Sequence, residues 1–270
     1  LAQYYSSVRR ADDCVGSVMA ALAASGQEKE TVVIFLSDHG MPLPFAKTAL
    51  WHHSTHTPLI ARWPGVTKDD SIDDAHMVSA VDLLPTILEI ADIAPPPSGF
   101  AGRSFAPTLR GETQTDRKYV FKVYNENSAG NRSPMRGIQS KRFGYLFNPW
   151  SNGERVFKTA TTGTKSYRAM QRLAKTDAGI GERLEFFRHG VPEEFYDYVN
   201  DPDALKNLID DPKYQDEIKK HRAVMMRLME ETGDHALVAF QNRESPERVS
   251  AYVDRVQAES DARRKKKRRK

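Results

Sequence analysis

Apolar positions recur at helical spacing at the start of the chain, where Val8, Val15, Met19 and Leu22 predict an amphipathic helix over residues 2–23 that stops near Gly26. The rhythm then changes. Residues 31–36 (TVVIFL) form a continuous β-rich apolar run, which predicts a strand buried on both faces, as in a parallel sheet covered by helices. Residues 58–63 (PLIARW) predict a second strand, ended by Pro64-Gly65. Asp82 is placed to cap a helix running through Ala91, with Pro85 in its first turn, and residues 95–99 (PPPSG) end that unit.

Beyond Gly111 the runs become short and strand-like, at 119–124, 135–140, 143–147 and 194–198, which predicts a small antiparallel sheet. Asp211-Pro212 opens a helix whose Tyr214, Ile218, Met225 and Leu228 share one face, closed by Gly233 and placed to cover that sheet. The expected class is α/β. Residues 1–110 are assigned to a main domain with a mixed sheet covered by helices, 111–240 to a small antiparallel-sheet subdomain with a C-terminal helix, and 241–270 to a charged, disordered tail.

Composition narrows this picture. With 270 residues, 39% of them hydrophobic, the chain can build a substantial core. The formal charge of +4 is local in origin, because residues 261–270 (DARRKKKRRK) hold eight basic residues and one acid. The remainder has 32 basic residues against 35 acidic ones, which makes nucleic acid an unexpected partner for the body of the chain. Cys14 is the single cysteine, so no intrachain disulfide forms. No apolar run is long enough to span a membrane. The chain opens on Leu1 inside its first predicted helix, without a signal-like segment, and an upstream portion is expected.

The chemistry concentrates after the first strand, in SDHGMPLPFAK (37–47). Ligands of open α/β sheets bind beyond the carboxyl ends of strands, and Asp38 and His39 fall there, with Gly40 free to turn beside them. A carboxylate and an imidazole suit a divalent cation, although the pair also occurs in ordinary capped turns.

This SDHG segment, followed by Lys47 and then Pro58-Leu59-Ile60, resembles the sulfatase family. VSAVDLLPTILEIADI (78–93) is similar to the family helix bearing D-x-x-P-T, and EEFYDYVNDPDALKNL (193–208) to its C-terminal signature, departing at Ala204 where Glu is usual. The likeness runs from about residue 3 to 235. Within the family the Pro-x-Pro turn and SPMRGIQSKRFGYLFN (133–148) resemble the sulfamidase branch, which tends to carry Arg in place of Lys47.

The resemblance implies an alkaline phosphatase-like fold and hydrolysis of a sulfate ester or sulfamate of a sulfated saccharide, in a periplasmic or secreted setting. It implies that Asp38 and His39 bind calcium and that Lys47 holds the sulfuryl group as a catalytic residue. Family members use a formylglycine nucleophile made within C/S-x-P-x-R. No such motif occurs here, and Cys14 (DDCVGS) lacks its Pro and Arg, so the nucleophile is expected upstream.

Asn125, Glu126, Asn127 and Arg132 precede the P-M-R segment and are candidate sugar contacts against the reading of a solvated loop. His52, His53 and His56 read as a polar loop or a metal cluster, and Arg136 as an anchor between the sheets through a carboxylate. Two rivals stand beside the sulfatase reading. One is a two-zinc phosphodiesterase or nucleotide pyrophosphatase of the same superfamily. The other is a noncatalytic chain that binds sulfated glycan through Lys47 and the basic tail.

Overall fold

The computed structural model describes residues 2–114 and 116–268. Its elements, in chain order, are α1 (Ala2–Ala24), β1 (Val33–Leu36), α2 (His52–Thr55), β2 (Leu59–Arg62), α3 (Leu83–Ile90) and α4 (Ala106–Leu109). There follow β3 (Val120–Glu126), β4 (Arg132–Gln139), β5 (Phe143–Phe147), α5 (Lys165–Leu173), α6 (Ala178–His189), β6 (Glu193–Asp197), α7 (Gln215–Glu231), α8 (Leu237–Gln241) and α9 (Pro246–Arg268). The chain forms two compact units that interleave in sequence: residues 1–36, 58–76 and 80–115 in one, and 37–57, 77–79 and 116–270 in the other.

In the first unit β1 and β2 pair antiparallel, with Phe35 opposite Ile60 and Leu36 opposite Leu59. This corrects the expectation of a parallel strand covered on both faces. The run is apolar enough for such a position, but no third strand flanks the pair among the described residues, and Phe35 (45%) and Ile60 (62%) stay exposed. Asp82 and Thr86 of the D-x-x-P-T stretch are buried and turn away from helix capping. Asp82 accepts the Arg103 N–H at 2.9 Å and Thr86 the Phe105 N–H at 2.9 Å, so both fix the chain that enters α4.

The second unit is built on an antiparallel meander, β3-β4-β5-β6. Side chains alternate along each strand, which gives the sheet two buried faces of different character. Ile138, Tyr145, Phe147 and Phe195 meet Ile218, Met225 and Met229 of α7, Phe240 of α8, and Tyr252, Val253 and Val256 of α9. Met135, Leu146 and Tyr196 on the opposite face meet Leu50, Trp51, Trp150, Phe157, and Leu184 and Phe187 of α6. The tail expected to be disordered is helical to Arg268, because Val249, Tyr252, Val253 and Val256 repeat at helical spacing and are buried. Residues 269 and 270 lie outside the described residues.

The C-terminal signature is a set of structural fasteners. Asp197 takes hydrogen bonds from Arg142 and Asn200, and Asp201 caps the turn through the amides of Leu205 and Lys206. Asn207 bridges β6 by accepting from Phe195 N–H and donating to the Glu193 carbonyl. Ala204 is buried with a φ of 51°, a left-handed turn position.

Candidate active site

The segment Ser37–Thr57 carries the expected site residues, and its path is set by close backbone contacts. Ser37 Oγ donates to the His39 carbonyl at 2.8 Å, and the His39 ring Nδ1 lies 2.8 Å from the Gly40 carbonyl oxygen. Its Nε2 lies 3.2 Å from Asp38 Oδ2, so the imidazole and the carboxylate are neighbours at the start of the segment. The Asp38 carboxylate is mostly exposed.

Gly40 lets this turn sit down on α2. Its N–H donates to the Ser54 carbonyl at 3.3 Å, and a Cβ at this position would lie 1.9 Å from the His53 carbonyl oxygen and 2.3 Å from that of Ala46. No side chain fits. The chain then folds through Met41–Ala46 with Leu43 N–H donating to the Met41 carbonyl and Ala46 N–H to that of Leu43.

Phe45 and Thr48, on either side of Lys47, have φ values of 66° and 57°, conformations that residues with a Cβ adopt only when their surroundings enforce them. For Phe45 the enforcing contacts are visible. Its ring lies 4.8 Å from that of Trp51 and 5.1 Å from that of Phe187, and the Arg183 guanidinium covers it at 3.7 Å. The proline-rich turn is therefore pinned by an aromatic box as well as by proline. Lys47 is half-buried and forms no ion pair among the described residues.

Two buried polar groups of the sheet face grip the same segment. Glu194 on β6 accepts from Trp51 Nε1 at 2.7 Å, from Asn148 Nδ2 at 2.6 Å and from the Tyr196 hydroxyl at 2.6 Å. Burial raises its carboxyl above the ordinary range, against the pull of those donors. Lys122 on β3 donates to the Leu50 carbonyl at 2.9 Å, Thr55 Oγ1 at 2.9 Å and Gln139 Oε1 at 2.6 Å. Burial lowers its amine to about 7.

The three histidines do not form a metal cluster. His52 Nδ1 accepts from Gln139 Nε2 (3.1 Å), and the ring stacks on His56 and is pushed down to about 4 by burial and by the nearby His56 and Lys122, while His53 pairs with Asp203 at 2.7 Å. Among the described residues no group of three or more His, Cys, Asp or Glu side chains converges on one point. Asp38 and His39 fit a divalent ion as part of a shell, since calcium takes about six to eight oxygen ligands.

The candidate sugar contacts are brought together in the β3–β4 hairpin, where several of their polar atoms already have partners. Asn125 Oδ1 lies 3.1 Å from His235 Nε2, and Glu126 meets Arg132 at 3.0 Å, an ion pair off hydrogen-bond alignment, as well as Ser260 and Arg263. Asn127 accepts from the amides of Ala129 and Asn131 and donates to the Lys158 carbonyl. Arg136 does find a carboxylate, bidentate to Asp234 at 2.5 and 2.7 Å, but this ties β4 to the turn after α7 rather than one sheet to another.

Comparison with known proteins fits this geometry. The Sulfatase family model matches residues 1–93, the stretch that holds Asp38, His39 and Lys47. The human N-sulphoglucosamine sulphohydrolase is 30% identical over 247 residues, covering 87% of this chain and 48% of that protein. Over most of its length the chain is similar to sulfatases. An ulvan-active sulfatase of Formosa agariphila is 28% identical over 236 residues, 86% of this chain and 38% of its own length. A solved 2-O GAG sulfatase superposes with a TM-score of 0.60 at 27% identity, over 82% of this chain and 40% of the other. The chain spans less than half the length of each of these relatives.

Sequence reasoning missed Phe45, Lys122, Arg183 and Glu194 as supports of the site. Lys122 alternates in phase with the apolar residues of β3, and a lysine at an inward strand position was the available signal.

Proposed function

We propose that this chain forms part of a sulfatase that hydrolyses a sulfate ester or sulfamate of a sulfated saccharide. The observation that carries this reading is the Ser37–Thr57 segment: Asp38 and His39 converge at its start, and a pinned turn then presents Lys47 with no ion pair among the described residues. The relatives' names, an N-sulphoglucosamine sulphohydrolase, an ulvan-active sulfatase and a 2-O GAG sulfatase, support the choice of a sulfated sugar.

In this reading Asp38 supplies a carboxylate oxygen to the calcium ion and His39 either its Nε2 or the backbone beside it. When bound, that ion neutralises the charge that builds on the sulfuryl oxygens as the S–O or S–N bond breaks. Lys47 holds a second positive charge on the same oxygens. Its task is electrostatic, and the aromatic box around Phe45 spares the turn any reorganisation as charge develops. The chain contains no C/S-x-P-x-R motif, so the formylglycine that attacks sulfur belongs to sequence outside these 270 residues. Asn125, Glu126, Asn127 and Arg132, gathered in the β3–β4 hairpin, are the candidate sugar contacts of this reading.

Metal analysis of the full-length protein tests the reading. One calcium ion per chain, lost together with sulfatase activity in Asp38→Ala, is the expected result. Two zinc ions per chain would favour the phosphodiesterase instead, and calcium retained in Asp38→Ala would remove Asp38 from the site.

A further inference from the structure

Lys122 is buried, yet among the described residues no carboxylate forms an ion pair with its ammonium group. Its three protons go to three neutral acceptors: the Leu50 carbonyl, Thr55 Oγ1 and Gln139 Oε1. A buried charge without an opposite charge costs stability, and a methionine of similar volume would fill the same space without that cost. The fold of the sheet does not require it.

What the ammonium touches explains its presence. Leu50 and Thr55 bracket α2, and α2 is the seat of the site turn: Gly40 N–H donates to Ser54 O, and Ala49 N–H to Ser54 Oγ at 3.3 Å. Lys47 lies only three residues before Leu50. Holding Leu50 and Thr55 to the sheet therefore fixes both the Asp38-His39-Gly40 turn and the point from which Lys47 extends.

We propose that Lys122 is a positioning residue, whose ammonium clamps α2 and Leu50 to β3 and β4 and thereby sets the geometry of Asp38, His39 and Lys47. The clamp is sensitive to pH. Burial holds the amine near 7, and a neutral amine has only two protons for the three acceptors, so the grip loosens as pH rises through that value. The charge of Lys122 acts on His52, which in turn packs against His53, His56 and Tyr198. His52 stays neutral above about pH 4, and burial raises Tyr198, so neither changes charge between pH 6 and 8.5, and a variant at Lys122 that keeps His53 and His56 separates their contribution.

The catalytic importance of the clamp rests on the sulfatase reading, but its test does not. Amide hydrogen exchange on the 270-residue chain reads the clamp without any turnover. Protection factors at Gly40, Ala49 and Ser54 should fall about tenfold between pH 6 and 8.5, while those of core amides in α7 hold steady. In Lys122→Met, which keeps all three histidines, the same amides should be weakly protected and flat with pH. A flat profile in the wild-type chain would overturn the proposal, and so would wild-type protection in a folded Lys122→Met. If that variant does not fold, the wild-type profile decides alone.

Discussion

The two faces of the β3–β6 sheet bury charge in opposite ways. Against α7, α8 and α9 the deepest charge is Arg136, 1% exposed, and it meets Asp234 in a bidentate pair. Against the site segment the buried charged groups are Lys122 and Glu194, and the hydrogen-bond partners of each are neutral, with Arg183 the charge near Glu194. A paired charge in an otherwise aromatic and aliphatic layer is compatible with stability as its purpose. Charges bound only by neutral groups cost stability, and what they gain is a defined path for the loop they hold. One face supports the fold and the other supports the site.

The difference can be broken from the apolar side first. Phe240, fully buried against the rings of Tyr145 and Phe147, should cost about 4 kcal/mol of unfolding free energy when changed to Ala, measured by urea denaturation. Arg136→Met should cost about 3 kcal/mol, because it leaves Asp234 buried without its partner. Burial pushes the Asp234 carboxyl up, but the hydrogen bonds and charge of Arg136 outweigh this and hold it below the ordinary range. Its folded value lies below its unfolded one, so its contribution is present at neutral pH and is lost as pH falls below about 4. Urea midpoints of the wild type should drop across that window more steeply than those of Arg136→Met.

The site face should respond less in stability and more in local order. Gly40→Ala forces a Cβ into two carbonyl oxygens, which should cost about 2 kcal/mol and release the Asp38-His39 turn from α2. Glu194→Gln places an amide where Trp51, Asn148 and Tyr196 all donate, at about 1–2 kcal/mol, with a change in Trp51 fluorescence that Phe240→Ala does not mimic. An unchanged Trp51 signal in Glu194→Gln would mean that the glutamate does not hold the segment.

Much of this molecule could be read from its sequence. The meander was visible because β3–β6 alternate, and α7 because Ile218 and Met225 share a face and Gly233, with φ of 61°, ends it. The helices α5 and α6 were missed although Thr164 and Asp177 cap them by accepting from Tyr167 and Ile180 N–H, since their buried residues are few and widely spaced. In α9 the basic block hid the repeat of Val249, Tyr252, Val253 and Val256. The positions of Asp38, His39 and Lys47 on one segment follow from motif order. The aromatic box around Phe45 and the grip of Lys122 and Glu194 join residues 70 to about 140 positions apart, and local pattern does not encode such contacts.

Lys47 is the point on which the account turns, because every support described above leads to its placement. The most direct measurement is kcat/KM on a sulfated sugar for Lys47→Met and Lys47→Arg, made in the full-length protein. Stability should change by no more than about 0.5 kcal/mol in either variant, since the side chain is half-buried and makes no ion pair among the described residues. The account predicts a loss of kcat of at least about a hundredfold for Lys47→Met, with calcium content unchanged, and retention of much of the activity for Lys47→Arg. A Lys47→Met enzyme with wild-type kcat/KM would contradict it.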